Sequence, residues 1–433
     1  MKLGNRYLKN IIWLAFDVFI KFFLTFGMSV LIARYMGVED FGLYSYLLSI
    51  FAICILVSAL GMNGIIVKEL VHQSNHNEIL GSALFLQRVG AFLISIFLVI
   101  WAVFFSENKP DDFLWIFFLI LPTIFLQSSN IYRYWFEFKV LSKYSVISQD
   151  LSLLIGAILK VAVIYFEYSY FYILALTLVE QLIFVRMLKY FFKKNNYDYK
   201  LAINKDTCFD LLSKSWPLII SGLAFVLYIK IDQIMIGELL GMKQLGIFSV
   251  AVKLIELCFF IPTILVSTFF PVLVKISTNS EGLYNHKMQL LYDVTVLIGI
   301  FIFFFNLIFA EYIIFYSFGE DYIGAVDQLK IYSLVCIFYF LSVVSGRWYI
   351  NAGLQKIAIF RNIVGLIVAV VLNFILIPGM GLTGASVSTV IAYIFSSYIF
   401  DFFDKRTRVV FYQKTRSLWV FGSVKRIFVE YIK

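Results

Sequence analysis

Asp232 is an acidic side chain inside an apolar run, residues 215–237. The other charge in this run, Lys230, is two positions away, so a helix places the two side chains on roughly opposite faces. Asp232 therefore needs a partner on another helix, a bound cation or a proton. Its residue type and position predict a site that binds or senses a cation inside a membrane span.

Further ionisable side chains lie in apolar runs of the first half, among them Asp17, Lys21, Arg88 and Lys160. An Asp, Lys or Arg in the middle of a bilayer costs about 2.5–3.5 kcal/mol, so each one needs a partner or a water-filled cavity. Asp17 and Lys21 are four residues apart on one helix face and form either a self-neutralising pair or part of a polar lumen. Arg88 either extends to the cytoplasmic interface or binds an anion, and Lys160 has no acid nearby in sequence.

Further polar groups lie far from the ends of their runs. Glu180 is in the middle of the sixth run and could pair with Lys160. Lys253 and Glu256 are three residues apart, and their spacing predicts an ion pair on one helix face. Asn373 is an uncharged polar group that either belongs to the same site as Asp232 or forms an interhelical hydrogen bond.

Signatures of enzymes and metal centres are missing from the sequence. It contains no G-x-S-x-G, H-E-x-x-H or G-x-x-x-x-G-K-[ST] motif. His72 and His76 have a metal-like spacing, but the sequence offers no third ligand beside them. Gly379-x-Gly381-x-x-Gly384 follows an apolar run and is interpreted as a helix link, not as a nucleotide site. We expect no catalytic residues, no metal and no enzymatic activity.

The elements that position these groups are membrane-spanning helices. The 433 residues are 61% hydrophobic and 15% charged, with a mean hydropathy of +0.89, whereas a soluble protein averages about 25% charged residues. Apolar runs long enough to cross a bilayer number twelve. They lie at roughly 11–35, 43–63, 80–105, 113–132, 145–166, 170–191, 215–237, 245–272, 288–316, 328–350, 357–377 and 384–403.

The distribution of Lys and Arg predicts the orientation of these helices. With the N-terminus inside, most of the 36 basic residues lie in cytoplasmic segments, and both termini are cytoplasmic. This bias accounts for the net charge of +9 without a nucleic-acid ligand. Residues 193–214 form a basic cytoplasmic linker, and residues 404–433 form a basic tail with apolar positions at helical spacing. We expect the tail to be an amphipathic helix on the anionic cytoplasmic leaflet.

A repeated turn predicts that the chain contains two copies of one unit. Gly37-x4-Gly42-Leu-Tyr44-Ser45 is matched 204 residues later by Gly241-x4-Gly246-Ile-Phe248-Ser249. Six helices in each copy give an all-α polytopic fold of two six-helix bundles, residues 1–192 and 215–403, related by a pseudo-two-fold axis along the membrane normal. Transporters built in this way bind substrate between the halves and alternate access by rocking them.

Two sets of residues carry a resemblance to a known family. The first is Trp216-Pro217-Leu-Ile-Ile-Ser221, Lys230-Ile-Asp232-x3-Ile-Gly237, Leu240-Gly241 and Gly246-Ile-Phe-Ser249-Val-Ala251. The second is Leu372-Asn373-x3-Ile377-Pro378-x2-Gly381-x2-Gly384-Ala385-Ser-Val-Ser388-Thr389. Together with the two repeats they make residues 1–403 similar to a Wzx-type polysaccharide flippase of the multidrug/oligosaccharidyl-lipid/polysaccharide (MOP) exporter superfamily. The sequence departs from many relatives in lacking additional C-terminal spans.

The resemblance implies movement of an undecaprenyl-diphosphate-linked oligosaccharide between the leaflets of the bacterial inner membrane, in O-antigen, lipopolysaccharide or other surface polysaccharide biosynthesis. Likeness to the lipid II flippases implies a coupling cation, Na⁺ or H⁺, at Asp232, Asn373 and Thr389, and no other cofactor. Polymerase and chain-length proteins are implied partners beside the bilayer. A cationic cavity that receives the diphosphate is implied at Asp17, Lys21, Arg88 and Lys160. Further candidates for the lumen are Glu180, Lys230, Lys253 and Glu256.

Three alternatives remain open from the sequence. A multidrug/cation antiporter of the same superfamily shares the layout, but it favours acids in the lumen where this chain has basic residues. An O-antigen polymerase or membrane glycosyltransferase requires a sizeable extramembrane segment with catalytic residues, and the predicted loops are short. A scaffold in a glycan-assembly complex would leave the charges inside the spans unexplained.

Overall fold

The computed structural model describes residues 2–104, 113–195, 201–277 and 280–432, with no described side chains before Ile20. This part of the chain is helical and contains no strand. Its α-helices are α1 (Lys2–Ser58), α2 (Asn63–His72), α3 (His76–Phe104), α4 (Phe113–Ile120), α5 (Pro122–Gln127), α6 (Ile131–Phe138), α7 (Ser142–Tyr165), α8 (Phe171–Lys194), α9 (Lys205–Leu239), α10 (Met242–Cys258), α11 (Phe260–Ser277), α12 (Glu281–Ser317), α13 (Ala325–Tyr332), α14 (Val335–Asn351), α15 (Gln355–Ile394), α16 (Phe400–Phe403), α17 (Arg408–Leu418) and α18 (Val420–Ile432).

Nine stretches of the described residues are long and apolar enough to cross a membrane. Two of them, Ile20–His72 and Gln355–Phe403, contain 53 and 49 residues and are long enough for two crossings each. The predicted fourth span, 113–132, is divided into α4, α5 and a short 3₁₀ turn, because Pro122 starts a new helix. The layout therefore agrees with the twelve predicted spans.

Glycine residues with positive φ mark the points where long helical stretches change direction. Gly37 inside α1 has φ 77° and ψ 177°, and Gly241, directly before α10, has φ 87° and ψ 171°. Such angles are accessible almost only to glycine. The two residues predicted to be equivalent by the repeat thus share one backbone conformation. Gly381, with φ 57°, divides α15 in the same manner between the predicted eleventh and twelfth spans.

The chain forms two compact units. Unit 1 comprises Met1–Met36 and Leu47–Val226, and unit 2 comprises Gly37–Tyr46 and Leu227–Lys433. The border therefore lies inside α9, whereas the sequence predicts it in the linker 193–214. The first repeated turn, Gly37–Tyr46, also belongs to unit 2, whereas the sequence predicts it in the first lobe, residues 1–192.

Close packing of the two repeated turns explains this assignment. A Cβ added to Gly42 would lie 1.9 Å from the carbonyl oxygen of Met242, and one added to Gly246 would lie 1.9 Å from that of Val38. The two contacts are reciprocal, since each glycine meets the backbone four residues before the other. Only glycine permits helices to approach so closely.

Each unit has its own apolar core. In unit 1 the core includes Ile66 of α2, Leu80 of α3, Trp135 of α6 and Leu188 of α8. In unit 2 the core contains side chains of α11, α12 and α14, and Val410 of α17 also packs in it. The C-terminal region is thus part of the packed structure of unit 2.

The tail differs from the predicted surface helix in its first half. In α17, Lys414 is buried and its Nζ lies 2.6 Å from Oδ2 of Asp401. α18 keeps an exposed apolar side that includes Phe421, Val424 and Phe428, as the amphipathic pattern predicts. The prediction of one interfacial helix is therefore wrong for α17, because its polar residues find buried partners in unit 2.

Candidate functional site

The acid singled out in the sequence, Asp232, is buried in unit 2 and meets a residue from α15. Asp232 is 2% exposed. Its Oδ2 accepts a hydrogen bond from Oγ1 of Thr389 at 3.3 Å, and its Oδ1 accepts one from the backbone N–H of Gln233 at 2.7 Å. Both partners are uncharged. The structure therefore gives this carboxylate hydrogen bonds but no ion pair within the described residues.

The third predicted member of this site, Asn373, is completely buried in α15, before the break at Gly381, whereas Thr389 follows that break. Neither Oδ1 nor Nδ2 of its amide has a hydrogen-bond partner in the described part of the chain. A buried polar group without a partner costs about 1–3 kcal/mol. A side chain of this kind is suited to a role in which its partner is a ligand, since it offers a carbonyl oxygen to a hard cation.

A neighbouring ion pair explains why Asp232 has no cationic partner. Nζ of Lys230 lies 2.7 Å from Oε1 of Glu256 on α10. The predicted pair of Lys253 with Glu256 is therefore wrong, because Glu256 pairs with the lysine of the adjacent helix. The Lys253 ammonium instead lies 5.8 Å from the ring centre of Phe41, within the range of a cation–π contact.

In unit 1 the predicted candidate Lys160 is neutralised by a residue of the same unit. Its Nζ lies 2.8 Å from Oε1 of Glu180, and the two side chains are only 8% and 15% exposed. The pairing predicted from the sequence is thus confirmed. Gly156 makes it possible, since a Cβ there would lie 1.9 Å from the same carboxylate oxygen. Lys160 is consequently not a free cation for a substrate diphosphate.

The remaining candidates of unit 1 lie in different surroundings. Arg88 is exposed on α3 and forms no ion pair with any described side chain. The side chain of Asp17 is outside the described part of the structure. Lys21 lines a small cavity together with Arg133 and Glu137.

Arg133 is a candidate that sequence reasoning missed. Its Nε lies 3.1 Å from Oε1 of Glu137, one helical turn later, and both side chains are partly exposed. On the other side of this pair is a second cavity of about 450 Å³, lined also by Asn63, Asn130 and Tyr134. Arg133 directly follows the predicted fourth span, 113–132, and this position gave no indication of a cavity.

Two kinds of chemistry follow from this geometry. In unit 2, the oxygen atoms of Asp232 and Thr389 suit a small hard cation or a proton. In unit 1, the paired Arg133 and Glu137 and the amides of Asn63 and Asn130 line space that suits a hydroxyl-rich group. No group of three or more metal-ligating side chains occurs among the residues that the structure describes.

Comparison with known proteins agrees with the arrangement of helices. The family model described as polysaccharide biosynthesis protein matches residues 7–277 of the 433. None of the curated proteins matches the sequence.

Solved structures of transporters share the fold. A lipid II flippase MurJ in an inward closed conformation superposes with a TM-score of 0.73 at 16% identity, covering 98% of this chain and 96% of that one. An inward-facing multidrug resistance MATE family transporter of the MOP superfamily gives a TM-score of 0.68 at 13% identity, covering 95% and 98%. A MOP superfamily transporter from Pyrococcus furiosus gives 0.61 at 13% identity, covering 95% and 96%. At these identities the similarity demonstrates the fold.

Proposed function

The chain belongs to the polysaccharide biosynthesis protein family, and on that premise we propose that it is a flippase for undecaprenyl-diphosphate-linked oligosaccharides. It moves repeat units from the cytoplasmic to the periplasmic leaflet of the bacterial inner membrane by alternating access, with Na⁺ or H⁺ as the coupling ion. The observation that carries the coupling is the buried Asp232, which has a hydroxyl partner at 3.3 Å and no ionic partner among the described residues.

The cargo presents one principal physical obstacle. Sugar hydroxyls lose their hydrogen bonds to water in hydrocarbon, at a cost of several kcal/mol for each unpaired group. The polar cavities at Arg133 support a protein route for such a head group. The polyprenyl chain needs no such route, because it is as apolar as the lipid. With the cell interior negative, outward movement of the diphosphate is favourable by about 2.3 kcal/mol per charge per 100 mV.

The coupling ion acts on the empty transporter in this proposal. An ionised Asp232 without a cation is costly in a low-dielectric interior, whereas a bound Na⁺ or H⁺ removes that cost. The ion thus stabilises conformations in which Asp232 is enclosed beside Thr389. Lys230 does not substitute for the ion, because its ammonium pairs with Glu256.

A deletion strain complemented with variants tests the proposal. Asp232→Asn keeps the size of the side chain but removes the charge, so we expect complete lipid-linked repeat units to accumulate on the cytoplasmic face. Glu311→Gln is the control, since it makes the same chemical change at an exposed position of unit 2. Normal flipping by Asp232→Asn over a wide range of pH and sodium would refute the coupling. Accumulation of single units on the periplasmic face in the deletion strain would instead identify a polymerase.

A further inference from the structure

A groove of about 640 Å³ opens on unit 2, away from the residues assigned to transport. The turn between α14 and α15 and the first residues of α15 form one wall. Phe400 and the segment around Asp404 and Arg406 form the other. It has the largest volume among the cavities described above.

The two ends of the groove differ in chemistry. One part of its lining, here called the floor, is apolar and contains Ile357, Phe360 and Val364. The charged part of its lining, here called the mouth, contains the exposed cations Lys356 and Arg406 and the acid Asp404.

The charge at the mouth is only partly balanced. The Arg406 guanidinium donates to Asp404 at 2.7 Å and 3.1 Å, which neutralises one positive charge. Lys356 has no ion pair with any residue that the structure describes. The mouth therefore has a net positive charge.

The apolar floor continues along the exposed face of α15. Phe360, Ile367, Val371 and Phe374 lie on one side of this helix and are between 49% and 70% exposed. From the first to the last of them the helix rises ~21 Å. This distance is close to the length of a fatty acyl chain and fits within the ~30 Å hydrocarbon core.

We propose that this groove binds one anionic phospholipid, with the phosphate between Lys356 and Arg406 and an acyl chain along the exposed face of α15. Charge complementarity selects an anionic head group, since basic pockets at the cytoplasmic ends of spans attract anionic lipids. The apolar face that continues from the groove selects a lipid over a free phosphate. The site is separate from the residues proposed to bind the coupling ion and the glycan, so its occupancy does not depend on the identity of the cargo.

Native mass spectrometry of the full-length protein tests the site. The protein is released from nanodiscs that contain equal amounts of phosphatidylglycerol and phosphatidylcholine, and the lipid that remains bound is counted. We expect one phosphatidylglycerol to be retained in preference to phosphatidylcholine. Lys356→Gln should lower that preference about fivefold, the effect of one basic residue near an anionic surface. Lys68→Gln is the matched control, because Lys68 is exposed on α2, outside the groove, and the variant loses the same charge.

A second variant tests the apolar part of the site. Phe360→Gln removes the exposed aromatic from the floor without leaving a buried polar group, so it should fold normally and reduce retention of both lipids. Retention of phosphatidylglycerol by Lys356→Gln at the level of the wild type would overturn the proposal. An equal loss of the preference for phosphatidylglycerol in Lys68→Gln would overturn it as well. Retention of added undecaprenyl phosphate in preference to phosphatidylglycerol would also overturn it.

Discussion

At the scale of single residues, the ionisable groups inside the spans divide into compensated and uncompensated charges. Lys160 is paired with Glu180 and Lys230 is paired with Glu256, at 2.8 Å and 2.7 Å. Asp232 has two uncharged hydrogen-bond donors and no ion pair among the described residues. Because the paired lysines already have carboxylates, the acid is the member of this set most suited to bind an exchangeable cation.

The pair of Lys160 and Glu180 is expected to stabilise the fold and not to bind substrate. Glu180→Gln leaves the ammonium buried without its carboxylate and should cost about 3–5 kcal/mol of unfolding free energy. The double variant Lys160→Met/Glu180→Leu should recover most of this loss, as measured by thermal unfolding in detergent. Flipping by the double variant at the wild-type rate would agree with a structural role. Loss of flipping with normal stability would show instead that Lys160 takes part in substrate binding.

At the scale of helices, the contact between the two repeated turns requires glycine. Gly42→Ala or Gly246→Ala places a methyl group 1.9 Å from a backbone carbonyl oxygen, so a helix must shift. We expect a loss of about 1–3 kcal/mol, seen as a lower melting temperature. Gly346→Ala is the control, because an added Cβ meets nothing within 4 Å there. A melting temperature unchanged by all three substitutions would contradict the close contact.

Helix α17, in the C-terminal region, contains the buried titratable side chain of Lys414. Lys414 donates hydrogen bonds to Asp401, to Ser345 and to the carbonyl of Ser397. The same cluster contains the buried Arg361, which donates to Ser345. Burial lowers the pKa of Lys414 from 10.5 to about 8.

The sign of the resulting pH dependence follows from proton binding. Between pH 8 and 10.5 the undocked tail holds more protons than the docked tail, so docking becomes more favourable as the pH rises through this range. Hydrogen exchange of the α17 amides, corrected for the intrinsic rate, should show more protection at about pH 9.5 than at about pH 7.5. Lys414→Met should remove the dependence. Protection of the wild type that falls with rising pH would show that Lys414 does not govern docking.

At the scale of the whole molecule, the charge distribution predicts which segments face the cytoplasm. In a variant without native cysteines, Lys405→Cys should react with an impermeant maleimide only after the inner face is exposed. Asp321→Cys should react from the periplasmic side of intact spheroplasts. Both positions are exposed in the structure. The opposite labelling pattern would invert the topology and with it the proposed direction of transport.

Much of the architecture could be predicted from the sequence, because spans and turns depend on local patterns. Apolar length predicted the crossings, and the spacing of Gly37 and Gly241 predicted a shared turn whose positive φ the structure shows. The site was less predictable. Asp232 was recognised because its own helix offers it no oppositely charged partner. Thr389, 157 residues away, was connected to it only through a family resemblance.

The sequence by itself determined the membrane class, the spans, the internal repeat and the presence of an acid that needs a partner. These properties follow from the free-energy cost of exposing charge or backbone to lipid. This cost applies to each segment separately, so it can be judged from local sequence. Only the tertiary structure decided which groups are partners: Glu256 pairs with Lys230 instead of Lys253, and Lys414 is buried in unit 2 instead of lying at the surface. The reason is that pairing depends on how neighbouring helices are rotated and how closely they pack, and spacing along one helix contains neither quantity.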